Sequence, residues 1–381
     1  MLVKISILCF DLSSNAFGRA GLLAIALSKI YDVEIIGPSK REKIWAPMAQ
    51  IDIPIKKFVW ERYPGFHRIK KNIMDVIDGD VILASKLMPT SFGIGLQKKI
   101  FSGKPLLLDI DDWELGFFYH SGFWGKVGRF LNFSNPNGLP YVWRIERLVG
   151  HADAVSVSNR FLQKKYGGTL LPHCRDTDVL NPLKFNAGDV KEKMGFVGKK
   201  ILMFLGTPRP HKGIDDLLQA FKKVDNSDLN LVIIGVENKQ EFLKGIDESV
   251  KNRVTIIPKI PFNKLSEYLS VADIICIPQR RTSDSVGQIP ARLFDAMAMA
   301  KPIIATKVSD IPEVLGDCGY LVDPSNPSQL ANAIQYVLSH SDEARVKGDA
   351  ARARCRQKYD IRNLESGLRG LIEQAAGKKV N

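Results

Sequence analysis

Two cations, Arg209 and Lys212, stand between Gly206 and Gly213 in the stretch Phe204 to Ile214, FLGTPRPHKGI. The apolar run Ile201 to Leu205 before it reads as a buried strand, and Ile214, Leu217, Leu218 and Phe221 after it recur at helical spacing. The glycines permit tight turns, so strand, loop and helix entrance follow one another. Free amides and the positive end of a helix dipole then converge with two side-chain charges, which suits a bound phosphate. An ordinary turn carrying two solvated basic residues is the other reading of this stretch alone.

A second stretch, Val286 to Thr306, VGQIPARLFDAMAMAKPIIAT, has the same form: a loop, a proline at a helix entrance, and a helix closed near Lys301 and Pro302. Arg292 and Asp295 are three residues apart and are expected on one helix face. An arginine fork suits a diphosphate, and a carboxylate suits the paired hydroxyls of a ribose. The two stretches together predict a site for a nucleotide diphosphate.

A third group follows the apolar strand Leu106 to Ile110, where DDWELG brings Asp109, Asp111, Asp112 and Glu114 to the strand's carboxyl end. Ligands of open α/β sheets bind there. Their place at the strand's carboxyl end suits Asp111 and Asp112 for positioning a substrate or for acid/base work. A metal-binding pair is a weaker reading, because no histidine or further ligand set accompanies it.

The second half of the chain resembles the retaining GT-B glycosyltransferases of family 4 (group 1), most strongly over residues 200 to 335. The matching residues are Gly206, Lys212 and Gly213 in the first loop, and Asp295, Ala296, Met297 and Ala298 in the second. The resemblance implies a GT-B fold, with two Rossmann-like doubly wound domains facing across a cleft. It also implies a nucleotide-diphosphate sugar as donor substrate, with no further cofactor or metal, and transfer with retention to a glycan or lipid-linked acceptor in cell-surface polysaccharide or lipopolysaccharide synthesis. By the same resemblance Gly18, in the loop after the first strand, faces the donor, and Glu313 in SDIPEVLGD takes the family's acidic position.

Several positions depart from the family pattern. Thr207 stands where an arginine is usual, with Arg209 two residues on as substitute. Gly287 stands where a glutamate is common, which leaves Asp284 or the backbone around Gln288 to contact the donor sugar. Asp111 or Asp112 occupies the place of the usual histidine; His120 and His151 are outside the expected context. His173, Cys174 and Arg175 replace the middle of the family's Pro-Asn-Gly-Val-Asp turn. These departures keep open a catalytically reduced sugar-nucleotide-binding adaptor, and an epimerase on the same fold is a further alternative.

Short β-rich runs alternate with helical patterns throughout, the signature of parallel sheets covered on both faces. Expected strands are Lys4 to Phe10, Val33 to Ile36, Asp80 to Ala84, Pro105 to Ile110 and Ala154 to Ser158. In the second half they are Ile201 to Leu205, Leu229 to Gly235, Val254 to Ile257, Asp273 to Ile277, Pro302 to Ala305 and Gly319 to Val322. The chain divides into a first domain over 1–180, a linker over 181–200, a nucleotide-sugar domain over 201–360, and a C-terminal helix over 361–381 that crosses back to the first domain.

A chain of 381 residues accommodates two such domains. Five scattered cysteines without metal spacing argue for a reducing cytoplasm. No apolar run approaches the roughly 20 residues that span a bilayer, so the expected location is cytoplasmic or peripheral on the cytoplasmic membrane face. The net charge of +13 favours an anionic partner. No nucleic-acid motif is present, so nucleic acid ranks last. Residues 40 to 71 mix Lys40, Arg41, Lys43, Lys56, Lys57, Arg62, Arg68, Lys70 and Lys71 with Trp45, Phe58, Trp60, Tyr63 and Phe66. They form either a surface for anionic lipid or a solvated loop over an aromatic cluster. The basic run around Arg352, Arg354 and Arg356 is expected to be a solvated face.

Overall fold

A computed structural model describes residues 3–40, 43–119 and 123–377. The chain forms two compact units, one of residues 1–173 with 361–381, the other of residues 174–360.

The first unit is built on seven strands: β1 (Lys4–Cys9), β2 (Asp32–Ser39), β3 (Ile55–Val59), β4 (Val81–Ser85), β5 (Leu106–Ile110), β6 (Ala154–Val157) and β7 (Thr169–Leu170). They lie in the order β3-β2-β1-β4-β5-β6-β7, and every pairing is parallel. The central strands KISILC, VILAS and LLLDI are buried almost throughout, as expected of strands covered on both faces. The sequence order reverses between β1 and β4, so the crevice at their carboxyl ends is the natural ligand position.

The second unit holds β8 (Lys200–Leu205), β9 (Leu229–Ile234), β10 (Val254–Ile257), β11 (Ile274–Ile277), β12 (Ile303–Thr306) and β13 (Tyr320–Val322), in the order β10-β9-β8-β11-β12-β13. All pairings are again parallel, and the reversal lies between β8 and β11. Phe204, Phe221 and Phe294 are fully buried beside these strands.

The expected strands are present, with ends shifted by a few residues. Two strands were missed. β3 falls inside the basic and aromatic stretch, where its IKKFV lies at the sheet edge in register with Ile35 to Ser39. β7 has only two residues.

Residues 181–200 are not a bare linker. They carry the helix Ala187–Lys193, and Val190 and Phe196 enter the second unit's core. The terminal helix Ile361–Gly377 packs on the first unit's helix Ala16–Leu27, and a side chain at Gly367 would collide with Leu171. The basic run is more than a solvated face. Arg352 donates to the carbonyls of Ala298, Leu180 and Thr177, and Arg354 to those of Val314 and Glu313. Both satisfy carbonyls at or near helix ends.

Candidate functional site

In the second unit β8 ends at Leu205, and Gly206 follows with φ +111° at the point where strand order reverses. Its amide donates to Ile234 O at 2.8 Å, keeping the loop in line with β9. A Cβ on Gly206 would lie 3.6 Å from Lys212 Nζ and 3.8 Å from Arg292 Nη1. The missing side chain therefore leaves a space faced by two cations. Lys212 closes the short helical turn Pro210–Lys212. Gly213 then takes φ +70°, and any side chain there would strike the carbonyl oxygen of Pro278. Glycine is required at this position on both counts.

Arg292 comes from the first turn of the helix Ala291–Ala298. Its Nη1 donates to Leu205 O at 2.8 Å, and its guanidinium lies 4.5 Å from the Phe204 ring centroid. Nε and Nη2 are buried without a hydrogen-bond partner among the described residues. Burial alone draws its pKa down to about 10. Under-satisfied buried donors are costly, and they mark places where a ligand completes the structure.

His211 is tied by Nδ1 to Asp284 Oδ2 at 3.0 Å. Burial holds its pKa below the usual value; Asp284 opposes that shift, and the charges of Lys212, Arg209 and Arg292 add to it. Lys212 and Arg292 meet beside Gly206, and Arg209 precedes Lys212 at the entrance of the same short turn. Such a group can hold a diphosphate by charge-assisted hydrogen bonds.

Other expected residues are arranged differently. Asp295 does not join Arg292. Its Oδ1 receives Arg175 Nε, and Arg175 also donates to Cys174 O and Ala291 O. Both side chains of this pair are nearly buried, so the carboxylate assigned to ribose is held in an internal ion pair. Asp284, expected at the donor sugar, accepts from the Thr282 hydroxyl and holds His211. Gly287 is buried and Gln288 half-buried in the loop before Pro290, the Gln288 amide donating to Ser285 O at 3.2 Å. Thr207 is half-buried beside Gly206, and Glu313 is exposed in the first turn of the helix Ile311–Leu315. The helix after Gly213, Ile214–Lys223, begins with Asp215 and Asp216, and Asp216 pairs through both oxygens with Arg280 at 2.7 Å. Its own acids offset its dipole, so positive charge at Gly206 comes mainly from Lys212 and Arg292.

In the first unit Lys86 follows β4 in a left-handed conformation, φ 73°. Its buried Nζ sits among Asp112 Oδ2, Asp111 Oδ1 at 2.7 Å and Glu114 Oε1 at 3.2 Å. An ammonium thus already occupies the centre that the metal reading required. Three carboxylates around one lysine leave excess negative charge, and burial pushes the Asp111 carboxyl up to about 7, Lys86 opposing. Glu114 is raised for the same first cause. A group poised near neutrality is suited to hold or release a proton.

Asp109 does not belong to this cluster. Fully buried, it receives Arg19 Nε and Nη2, each at 2.8 Å, and the Ser156 hydroxyl at 2.7 Å. Gly18 lies within the helix Ala16–Leu27, where a Cβ would approach the Trp45 ring at 3.3 Å; its bareness serves that packing. His120 and Arg41 lie outside the described residues.

The sequence reading missed Lys86, His211 and Arg280, and it named Arg175 only as a departure from the family's turn, not as the partner of Asp295. His211 lies inside the first loop already singled out.

Residues 189–354 match the model of a known family, glycosyl transferases group 1. The matched segment contains every residue of the cation site. N-acetyl-alpha-D-glucosaminyl L-malate synthase of Bacillus anthracis is 32% identical over 162 residues, covering 40% of each chain. The chain spans about half the length of the curated relatives it matches, 52% of the spore coat protein SA of Bacillus subtilis at 26% identity among them. Sucrose-phosphate synthase of Thermosynechococcus elongatus matches 99% of this chain and all of its own at 16% identity and a TM-score of 0.76. Anabaena HepE, solved with UDP and glucose, matches 97% of this chain and 99% of its own, also at 16% and 0.76. At such identity the likeness concerns the fold: the chain has the two-domain GT-B fold.

Proposed function

We propose that the chain is a glycosyltransferase that carries a sugar from a nucleotide-diphosphate sugar to a glycan or lipid-linked acceptor. The observation that carries this reading is the half-satisfied Arg292 guanidinium beside Lys212 at the glycine that ends β8, within the segment similar to group 1. The donor's diphosphate fits the space in front of Gly206. When the bond between the sugar's anomeric carbon and the β-phosphate oxygen breaks, negative charge grows on the leaving diphosphate. Lys212 Nζ and Arg292 stabilise that charge, a role a metal fills in other transferases. Retention of anomeric configuration and a place in cell-surface glycan synthesis rest on the family resemblance.

The first unit is assigned the acceptor, with Asp111 or Asp112 taking the proton of its hydroxyl. Anabaena HepE, crystallised with UDP and glucose, recommends UDP-sugars as the first donors to assay.

The direct test is a nucleotide-sugar panel with mass spectrometry of the products, with and without a chelator. Lys212→Ala is expected to fold normally and to lower turnover at saturating donor by roughly a hundredfold. Unchanged turnover in the folded variant removes Lys212 from the mechanism. A sugar-nucleotide-binding adaptor is the second reading, favoured by the internal pairing of Asp295 and Asp284. Donor binding without transfer or hydrolysis in any panel member would select it, and an epimerised nucleotide sugar as product would select the epimerase.

A further inference from the structure

Phe130, Leu131 and Phe133 leave 50%, 62% and 52% of their surfaces in water, and Trp143 leaves 48%. They belong to the end of the helix Phe123–Phe130, the loop after it, and the helix Leu139–Glu146. The loop is fixed rather than loose. Tyr141 Oη donates to Phe133 O and the Tyr63 amide to Ser134 O, each at 2.8 Å, and the Phe130 and Phe133 rings meet edge to face. A well-held apolar projection of this kind has been built to stay exposed, and exposed patches of large apolar residues mark interaction surfaces.

Its charge selects the partner. Arg129, Arg144 and Arg147 are exposed on the same segments, and Arg62 joins the loop through Ser134 Oγ at 2.9 Å. The only carboxylate between residues 129 and 147 is Glu146, which is paired with Lys165 at 2.9 Å. Arg147 covers the Trp143 ring, an arrangement suited to the headgroup layer, where an aromatic body and a cation are both accommodated. Apart from Arg62, much of the stretch singled out in the sequence is paired or buried: Lys56 pairs with Glu34, Arg68 with Glu61 and Lys40 with Asp11, while Phe66 is buried.

We propose that this surface of the first unit docks on an anionic phospholipid bilayer, inserting Phe130, Leu131 and Phe133 between headgroups that the arginines neutralise. It uses no residue of the cation site, so it stands or falls separately from the proposed reaction.

The test is sedimentation of the full chain with vesicles of phosphatidylcholine, with and without phosphatidylglycerol. Wild type is expected to bind only the anionic vesicles and to release as salt rises. Replacing Arg129, Arg144 and Arg147 together by Gln is expected to lower partitioning by roughly a hundredfold, at about 1 kcal/mol per cation. Phe130→Ser, Leu131→Ser and Phe133→Ser together should lower it independently of salt. Thermal melts matching wild type would show that these exposed changes leave the fold intact. Wild type that ignores anionic vesicles at low salt overturns the proposal. So does unchanged binding by both folded triple variants, or loss of binding only when Lys57, Lys70 and Lys71 are replaced by Gln.

Discussion

Replacing Arg292 by Met separates a ligand-holding residue from a structural one, because the two roles predict opposite outcomes. Two of its buried nitrogens have no protein acceptor among the described residues, and each such group costs about 1–3 kcal/mol. The substitution removes that cost. It also removes the bond to Leu205 O and the contact with Phe204, together worth about 2–4 kcal/mol once the orphaned carbonyl is included. The terms nearly cancel, so Arg292→Met is expected to unfold within about 2 kcal/mol of wild type. Anion binding behaves differently. Charge-assisted hydrogen bonds contribute about 1.5–3 kcal/mol each, and two of them predict a loss of roughly a hundredfold to ten-thousandfold in affinity. Titration calorimetry with inorganic pyrophosphate reads this without knowledge of the donor's base, and urea unfolding reads the stability. A variant that is several kcal/mol less stable yet binds pyrophosphate like wild type would refute the reasoning and make Arg292 a core residue.

Three further outcomes follow from the geometry. Asp295→Ala is expected to cost about 3–5 kcal/mol in chemical unfolding, because it leaves Arg175 buried without its partner; a stable variant with weakened donor binding would restore the ribose role. Gly213→Ala should cost about 3 kcal/mol or more, since φ +70° and the Pro278 carbonyl both oppose a side chain; a normal melting temperature would contradict the loop geometry. Asp111 has its pKa raised from 3.8 to about 7, so the native state holds one more proton than the unfolded chain between those values. Its contribution to stability therefore falls as pH rises through that window and is level above it. Asp111→Asn should gain on wild type as pH rises from 5 to about 8 in paired unfolding curves; a constant difference would place the titrating group elsewhere.

The strands were legible because parallel strands buried on both faces read as short apolar runs, and KISILC, LLLDI and LNLVII needed no further context. β3 was hidden because an edge strand tolerates charge: Lys56 and Lys57 face partners and water rather than a core. The glycine loop was legible for a different reason. Gly206 and Gly213 are where a positive φ and a close approach are needed, and few other residues serve there. Residues 181–200 looked like a linker because their apolar positions are sparse, although Val190 and Phe196 suffice to anchor them.

Partners were not legible, and the site depended on them. Arg292 and Asp295 have the spacing of neighbours on a helix, yet one reaches Leu205 and the other Arg175, a residue 120 positions away. The Lys86 ammonium that fills the carboxylate cluster comes from 26 positions before Asp112. Residue type and spacing identify groups capable of chemistry; only the tally of partners tells which remain available for it. Asp109 with Arg19, Asp216 with Arg280 and Asp295 with Arg175 are matched pairs, each close to electrically complete. At the reversal of β8 and β11 a buried arginine has two of its three nitrogens without an acceptor among the described residues, and at the reversal of β4 and β1 three carboxylates share one lysine. Each imbalance is costly in itself and lies where an open α/β sheet receives ligands. The excess positive charge of one suits a departing diphosphate, and the excess negative charge of the other suits a hydroxyl about to lose its proton.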